Sequence, residues 1–253
     1  MECLAEVVEH EVDFLLEPDK ELVCATPSGL YYTVPVDQDF ITKNFIEGPY
    51  ESGKTKLSFP GGAMINPNTA KIISPDVHPR LTHDRTKSGA AVKTVGESEY
   101  LVVRVIATDG STTLSESELG DAVFGYNGDP VNLKSQYGLC SHGKNIVVES
   151  PDRTGDSTNI SQGVVTITVD VSTSQGDVAM RNAVTNEINA QFGVSSPTQI
   201  TNHALYCMPP NTMGGIAYAF IYGWMSVYSD TWCRPVSAQM VRKFATAIVF
   251  QVI

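Results

Sequence analysis

The β-branched run Val164-Val165-Thr166-Ile167-Thr168-Val169-Asp170-Val171 is the clearest strand in the chain. Soon after it, Met180, Val184, Ile188 and Phe192 repeat at every fourth position, with Asp177 as the expected cap and Gly193 as the expected stop. The first pattern suits a pleated, buried surface and the second the apolar stripe of a helix. Neither face is stable in water alone, so this part of the chain must layer helices on a sheet. The same alternation holds from residue 99 onward. Tyr100–Ile106 is an apolar, β-branched run broken by Arg104 alone, as expected of a strand covered on both faces, and Asp109-Gly110 closes it. Ser115 and Glu118 have the spacing of a capping box for a helix carrying Leu119, Ala122 and Val123 and ending at Gly125. His203–Met208 is a further strand stopped by Pro209-Pro210, and Ser237 is placed to cap a last helix through Ala238, Gln239 and Met240.

Residues 1–75 read differently. Glu21–Cys24, Leu30–Val34 and Lys56–Phe59 are short strand-like runs. Pro27-Ser28-Gly29, Ser52-Gly53-Lys54 and Pro60-Gly61-Gly62 supply the turns between them. A small antiparallel sheet or barrel-like module is expected there. Residues 76–98, with His78, Pro79, Arg80, His83, Asp84, Arg85, Lys87 and Lys93, are polar, basic and strand-poor, and read as a linker.

At 253 residues the chain can bury a sizeable core as one large domain or two smaller ones. Lys and Arg number 17 against 28 Asp and Glu, a net charge of −11, and an acidic surface repels phosphate. Neither nucleic acid nor anionic membrane is an expected partner, and no run approaches the roughly 18 apolar residues that span a bilayer. The N-terminus, MECLAEVVEHEVDFLLEP, is acidic where a signal peptide is basic and lacks an unbroken apolar core. The five cysteines, Cys3, Cys24, Cys140, Cys207 and Cys233, form no C-x-x-C pair. They read either as small buried hydrophobes or as disulfides, which would require an oxidising compartment. Asn159-Ile160-Ser161 is a glycosylation acceptor triplet.

Other constellations carry little chemistry. His78 and His83 with Asp84 suit no common metal grip, and they read as surface polar residues. Cys140 and His142 sit too close along one segment to make a nucleophile and its base. Asp152 and Asp156, with Thr154 and Ser157, lack calcium-loop spacing and read as a solvated turn. Tyr218, Phe220, Tyr222, Trp224, Tyr228 and Trp232 are expected to pack against the sheet.

The segment His203-Ala-Leu-Tyr-Cys-Met-Pro-Pro, then Ile216-Ala-Tyr-Ala-Phe, Trp232-Cys233 and Val236-Ser-Ala-Gln-Met resembles the gametolysin family of zinc metallopeptidases. Leu101-Val-Val-Arg-Val-Ile, Asn132-Leu-Lys-Ser-Gln-Tyr-Gly-Leu-Cys-Ser-His-Gly-Lys, Ser52-Gly-Lys-Thr-Lys-Leu and Pro60-Gly-Gly also look like that family. The resemblance implies an α+β fold. A β-rich, proregion-like module over 1–75 and a linker over 76–98 precede the N-terminal part of a zincin-like domain over 99–253, a mixed sheet with packed helices. It also implies a secreted or extracellular peptidase acting on extracellular-matrix or cell-wall proteins. Its edge strand before the active helix would pair with an extended peptide. Cys207 and Cys233 flank that region and could pair.

The family's Ser-Ala-Gln-Met leads directly into H-E-x-x-H, whose two histidines grip zinc while the glutamate activates water. Here Val241 and Ala245 stand where the histidines belong and Arg242 where the glutamate belongs. Aliphatic side chains donate no lone pair, and a guanidinium is no base near neutral pH. The family's third ligand would fall beyond Ile253. No catalytic, cofactor-binding or metal residue is therefore expected, and no cofactor in this chain, although zinc is expected in full-length relatives. The reading is a metallopeptidase domain inactive as written; the alternative is a non-catalytic peptide-binding or regulatory pseudoenzyme. The tail after Met240 does not resemble the family, as an altered reading of the gene would produce.

Overall fold

In the computed structural model the strand Glu2–Glu11 (β1) alternates between two cores. Cys3, Ala5 and Val7 enter one apolar cluster, while Leu4 and Val8 pack into another. The described residues are 2–11, 19–66, 69–74, 78–83, 95–128, 130–220 and 223–233. After β1 come β2 (Asp19–Ala25), β3 (Tyr31–Thr33), α1 (Gln38–Ile41), β4 (Thr55–Ser58), β5 (Met64–Asn66), β6 (Lys71–Ile73) and β7 (Arg80–His83). Then follow β8 (Gly96–Ile106), α2 (Glu116–Phe124), α3 (Leu133–Cys140), β9 (Asn145–Glu149), β10 (Arg153–Thr154), β11 (Asn159–Ile160) and β12 (Val164–Thr168). The last are α4 (Gly176–Phe192), β13 (His203–Cys207), β14 (Ala217–Phe220) and β15 (Met225–Tyr228).

The fold is mixed α+β around one large mixed sheet, ordered β12-β8-β13-β15-β14-β1-β2-β3-β6-β5. Strands β12, β8, β13 and β15 are parallel to their neighbours, and β14 runs antiparallel to β15. From β14 the ladder continues antiparallel into β1, Val8 opposite Phe220 and Glu11 opposite Ala217. The strands of residues 1–75 thus extend the sheet of residues 99 onward. β1 also has two partners on one side: β4 opposite Glu2–Ala5 and β14 opposite Val8–Glu11. At this fork the Val7 N–H donates to Ser52 Oγ (3.0 Å) and the Gly53 N–H to the Ala5 carbonyl (2.8 Å).

One core runs along a whole face of the sheet. Leu101, Val103 and Val105 of β8, Ala204 and Tyr206 of β13, and Val23 of β2 meet Met180, Val184 and Ile188 of α4 there. On the opposite face, Tyr100, Val102 and Leu205 pack under α2 and α3. Further along, Leu22, Cys24 and Leu57 pack with Ile41 of α1. The expected elements at β2, β3, β4, β8, β12 and β13 all form. Helix α2 carries its capping box, Ser115 Oγ accepting from the Glu118 N–H while the Glu118 carboxylate accepts from the Ser115 N–H, and Gly125 closes it in the left-handed region.

Some details differ. The expected strand through Val171 ends at Thr168. Asp177 does not cap α4: a 3-10 turn over Thr173–Gln175, capped by Ser172, runs straight into the helix and leaves Asp177 in its first turn. Arg80–His83, read as connection, forms β7 because Leu81 lies opposite Leu57 of β4. The helix expected after Ser237 lies outside the described residues. Among the described residues no helix is long and apolar enough to cross a membrane.

Two disulfides tie the sheet. Cys3–Cys24 joins β1 to β2, and Cys207–Cys233 joins the end of β13 to the turn Asp230–Trp232. That turn is held from beneath, the Thr113 N–H and hydroxyl donating to the buried Asp230 carboxylate at 2.6 and 2.8 Å. Replacing Cys3 and Cys24, 21 residues apart, by alanine is expected to lower the unfolding free energy by about 3 kcal/mol through loop entropy. Chemical denaturation reads this, and an unchanged midpoint and slope would refute the cross-link's role.

Candidate functional site

Glu6 faces the same core as Leu4 and Val8, at the fork where β1 changes partner from β4 to β14. It is 7% exposed. The Tyr31 hydroxyl hydrogen-bonds its carboxyl, while Glu6 Oε2 has no hydrogen-bond partner among the described residues. Gly223 makes room for that oxygen, since a Cβ there would meet Glu6 Oε2 at 3.1 Å and would collide with Phe220. Burial pushes the Glu6 carboxyl up to about 8, against smaller opposing effects of the Tyr31 hydrogen bond and the Arg181 charge. At neutral pH Glu6 therefore holds its proton.

Arg181 lies beneath, wholly buried on α4. Its Nη1 donates to the Tyr218 hydroxyl (2.8 Å), which donates to Asp177 Oδ2 (2.7 Å). Asp177 Oδ2 is 4.0 Å from Arg181 Nη1. The guanidinium carbon sits 5.1 to 5.9 Å from the ring centres of Phe220, Tyr218 and Tyr31. Burial opposes its charge, but Tyr218 and Asp177 outweigh burial, so Arg181 stays protonated. Its Nε and Nη2 have no hydrogen-bond partner among the described residues.

Helix α4 also grips the β2–β3 turn. The Asn182 amide donates to the Tyr31 carbonyl (2.8 Å) and accepts from the Tyr31 N–H (3.1 Å), and Asn189 donates to the Ser28 carbonyl (3.0 Å). Gly29, at φ +83°, passes so close to Pro197 and Trp224 that a Cβ would lie 3.2 Å from each. A cavity of about 320 Å³ opens beside this turn, lined by Leu4, Glu6, Ala25, Pro27, Tyr31 and Trp224 among others.

The residues weighed from sequence do not converge. His78 stacks on Phe40, with ring centres 4.7 Å apart, and His83 ends β7. Asp84 lies outside the described residues. Cys140 is a free, exposed thiol at the end of α3, and His142 is exposed in the turn beyond. Asp152 accepts from the Gln162 N–H (2.7 Å), and the Asp156 N–H donates to the Gln191 carbonyl, both in solvated turns. Tyr218, Phe220 and Tyr228 are packed in the core, as expected. Val241, Arg242 and Ala245 lie outside the described residues. Among the described residues no group of three or more His, Cys, Asp or Glu side chains is placed to hold a metal ion.

Glu6 and Arg181 went unnoticed in sequence. For Glu6 the signal was there, a lone charge within the apolar run Leu4-Ala5-Glu6-Val7-Val8; Arg181 sits beside Met180 and Asn182 in Met180-Arg-Asn-Ala-Val184, where no local pattern marks it. No protein-family model, curated protein or solved structure matches the chain.

The Glu6 proton makes stability depend on pH. The unfolded chain releases it near the ordinary value of 4.5, the folded protein near 8. Between these values the folded state binds more protons, so stability falls as pH rises. His203, stacked on Tyr100, acts oppositely: burial lowers it to about 4, so its contribution is lost as pH falls below the ordinary 6.5. Glu6→Gln is expected to match the parent at pH 4.5 and to exceed it in melting temperature at pH 8, at about 2–4 °C per kcal/mol. Only the acid-side fall then remains in the variant. Parallel pH profiles for the two proteins would contradict the assignment.

Proposed function

We propose that this chain is a gametolysin-like metallopeptidase domain that keeps the family's framework and has lost its chemistry. The reading rests on one observation. The family-like run from Cys207-Met208-Pro209-Pro210 to Ser237-Ala238-Gln239-Met240 is followed by residues with no zinc-binding capacity. The element order supports it once α3, β9, β10 and β11, which lie between α2 and β12, are set aside: strand β8, helix α2, strand β12, helix α4, strand β13, then the antiparallel β14. This is the succession expected of a zincin-like domain.

The donor set does not fit zinc. Val241 and Ala245 have no side-chain lone pair, and Arg242 is cationic near neutral pH. No hydrolytic step can be assigned to them. In active members of the family, peptide bonds of extracellular-matrix or cell-wall proteins would be the substrate.

A second reading, a peptide-binding pseudoenzyme, draws on the β1–β14 ladder. The outer side of β14 demonstrably takes an extended antiparallel strand, β1 itself. Peptide pairing on that side requires the Val8–Glu11 part of β1 to leave.

Protein dialysed against zinc is expected to retain far less than one equivalent and to show no chelator-sensitive cleavage of casein. Stoichiometric tight zinc with chelator-sensitive proteolysis would overturn the loss of activity. Limited proteolysis separates the two readings: a resistant, nearly full-length species favours the peptide binder, and rapid loss of the residues after about 100 counts against it.

A further inference from the structure

Asn159-Ile160-Ser161 is the chain's single Asn-x-Ser/Thr triplet, and neither the buried cluster nor the lost zinc motif uses it. It begins on β11, paired with β10 so that Thr154 lies opposite Asn159 and Arg153 opposite Ile160. Side chains alternate along extended backbone, so the first and third residues of the triplet share a face. Ile160 is 2% exposed and packs into the core that α4 covers, whereas Asn159 and Ser161 are both exposed. The buried isoleucine thus turns the amide and the hydroxyl outward together.

The hairpin is held by other groups. The Gly155 N–H donates to the Thr158 carbonyl (2.9 Å), and Thr158 Oγ1 donates to the Thr166 carbonyl of β12 (3.0 Å). The Ser161 N–H and carbonyl both pair with Val164, at 3.0 Å each. These contacts fix the backbone without using the Asn159 amide or the Ser161 hydroxyl. Pro151–Thr154, Asp156, Ser157 and Gln162 around the triplet are exposed as well, so a bulky polar group has room there.

The cysteines supply an independent observation. Four of the five are bonded, as Cys3–Cys24 and Cys207–Cys233, and such bonds persist in the oxidising lumen through which secreted chains pass. Asparagine-linked sugar is added in that same lumen.

We propose that Asn159 is a glycosylation site and carries an oligosaccharide on Nδ2. The donor is a lipid-pyrophosphate-linked oligosaccharide. Nδ2 bonds to the anomeric carbon of the sugar and loses one proton. The bond from that carbon to the pyrophosphate oxygen breaks, and its electron pair leaves with the pyrophosphate. Ser161 supplies the hydroxyl by which the transferase selects the triplet.

Translation of the full chain behind a cleavable export leader, with microsomes present, tests acceptance whether or not the product folds. One slower-migrating species is expected, and peptide-N-glycosidase F collapses it. Ser161→Thr is expected to keep that species; Asn159→Gln and Ser161→Ala are expected to lose it. The chain secreted from insect cells is expected to hold both disulfides and to carry sugar on the peptide containing Asn159, read by mass spectrometry. The same peptide is expected to be occupied in protein purified from its own cells. No shift in microsomes, a shift that survives Asn159→Gln, its loss in Ser161→Thr, sugar only on chains lacking the disulfides, or a bare Asn159 in the native protein would each overturn the proposal.

Discussion

The structure depends on the double-sided pairing of β1. On one side β1 bonds β2 over Leu4–His10; on the other it is shared between β4 and β14. A strand so placed is bonded along both sides, and it converts two sets of strands into one sheet. Without it, β14 would end the parallel part of the sheet as an open edge. Both clusters that meet at β1 would also lose a wall, because its side chains alternate between them.

The polar cluster under β1 sets a limit on that arrangement. A charge as deep as Arg181 is tolerated only with its partners in place. Asp177 in the first turn of α4, Tyr218 on β14 and three aromatic rings supply them. These partners come from the helix, β14 and β3, so the ion pair assembles only when all three are in register. Such a cluster adds little net stability, but it penalises mispaired sheets that would strand Arg181 in an apolar core. Glu6 differs because it stays neutral, with one acceptor unpaired among the described residues.

Local features of the fold were legible in the chain. Ser115, Glu118 and Gly125 define α2, and the fourfold apolar stripe and Gly193 define α4. The runs at Tyr100–Ile106 and His203–Cys207 became parallel neighbours, next in from β12 at one end of the sheet. In each case the signal lies within a few residues. Helix α3 was missed because its Asn132–Ser135 cap precedes only a short stretch, Leu133–Cys140, with two buried apolar positions. The β1–β14 pairing was invisible because register between segments far apart in sequence leaves no local trace. The candidate cavity escaped for the same reason: Glu6, Tyr31 and Trp224 meet only through that pairing and the close approach of Gly29 to Pro197.

The shared side of β1 also bears on how the chain is made. β1 can close its ladder with β2 and β4 as soon as those nearby segments exist, but the segment that pairs with Val8 lies far along the chain, at Phe220. Until that segment is made the Val8–Glu11 half of its edge waits unpaired, a template for any passing strand. Closing that seam is a contact of very high sequence separation, so it belongs among the late and slow events of folding. The growing chain therefore carries its most central strand half-paired until β14 has been made.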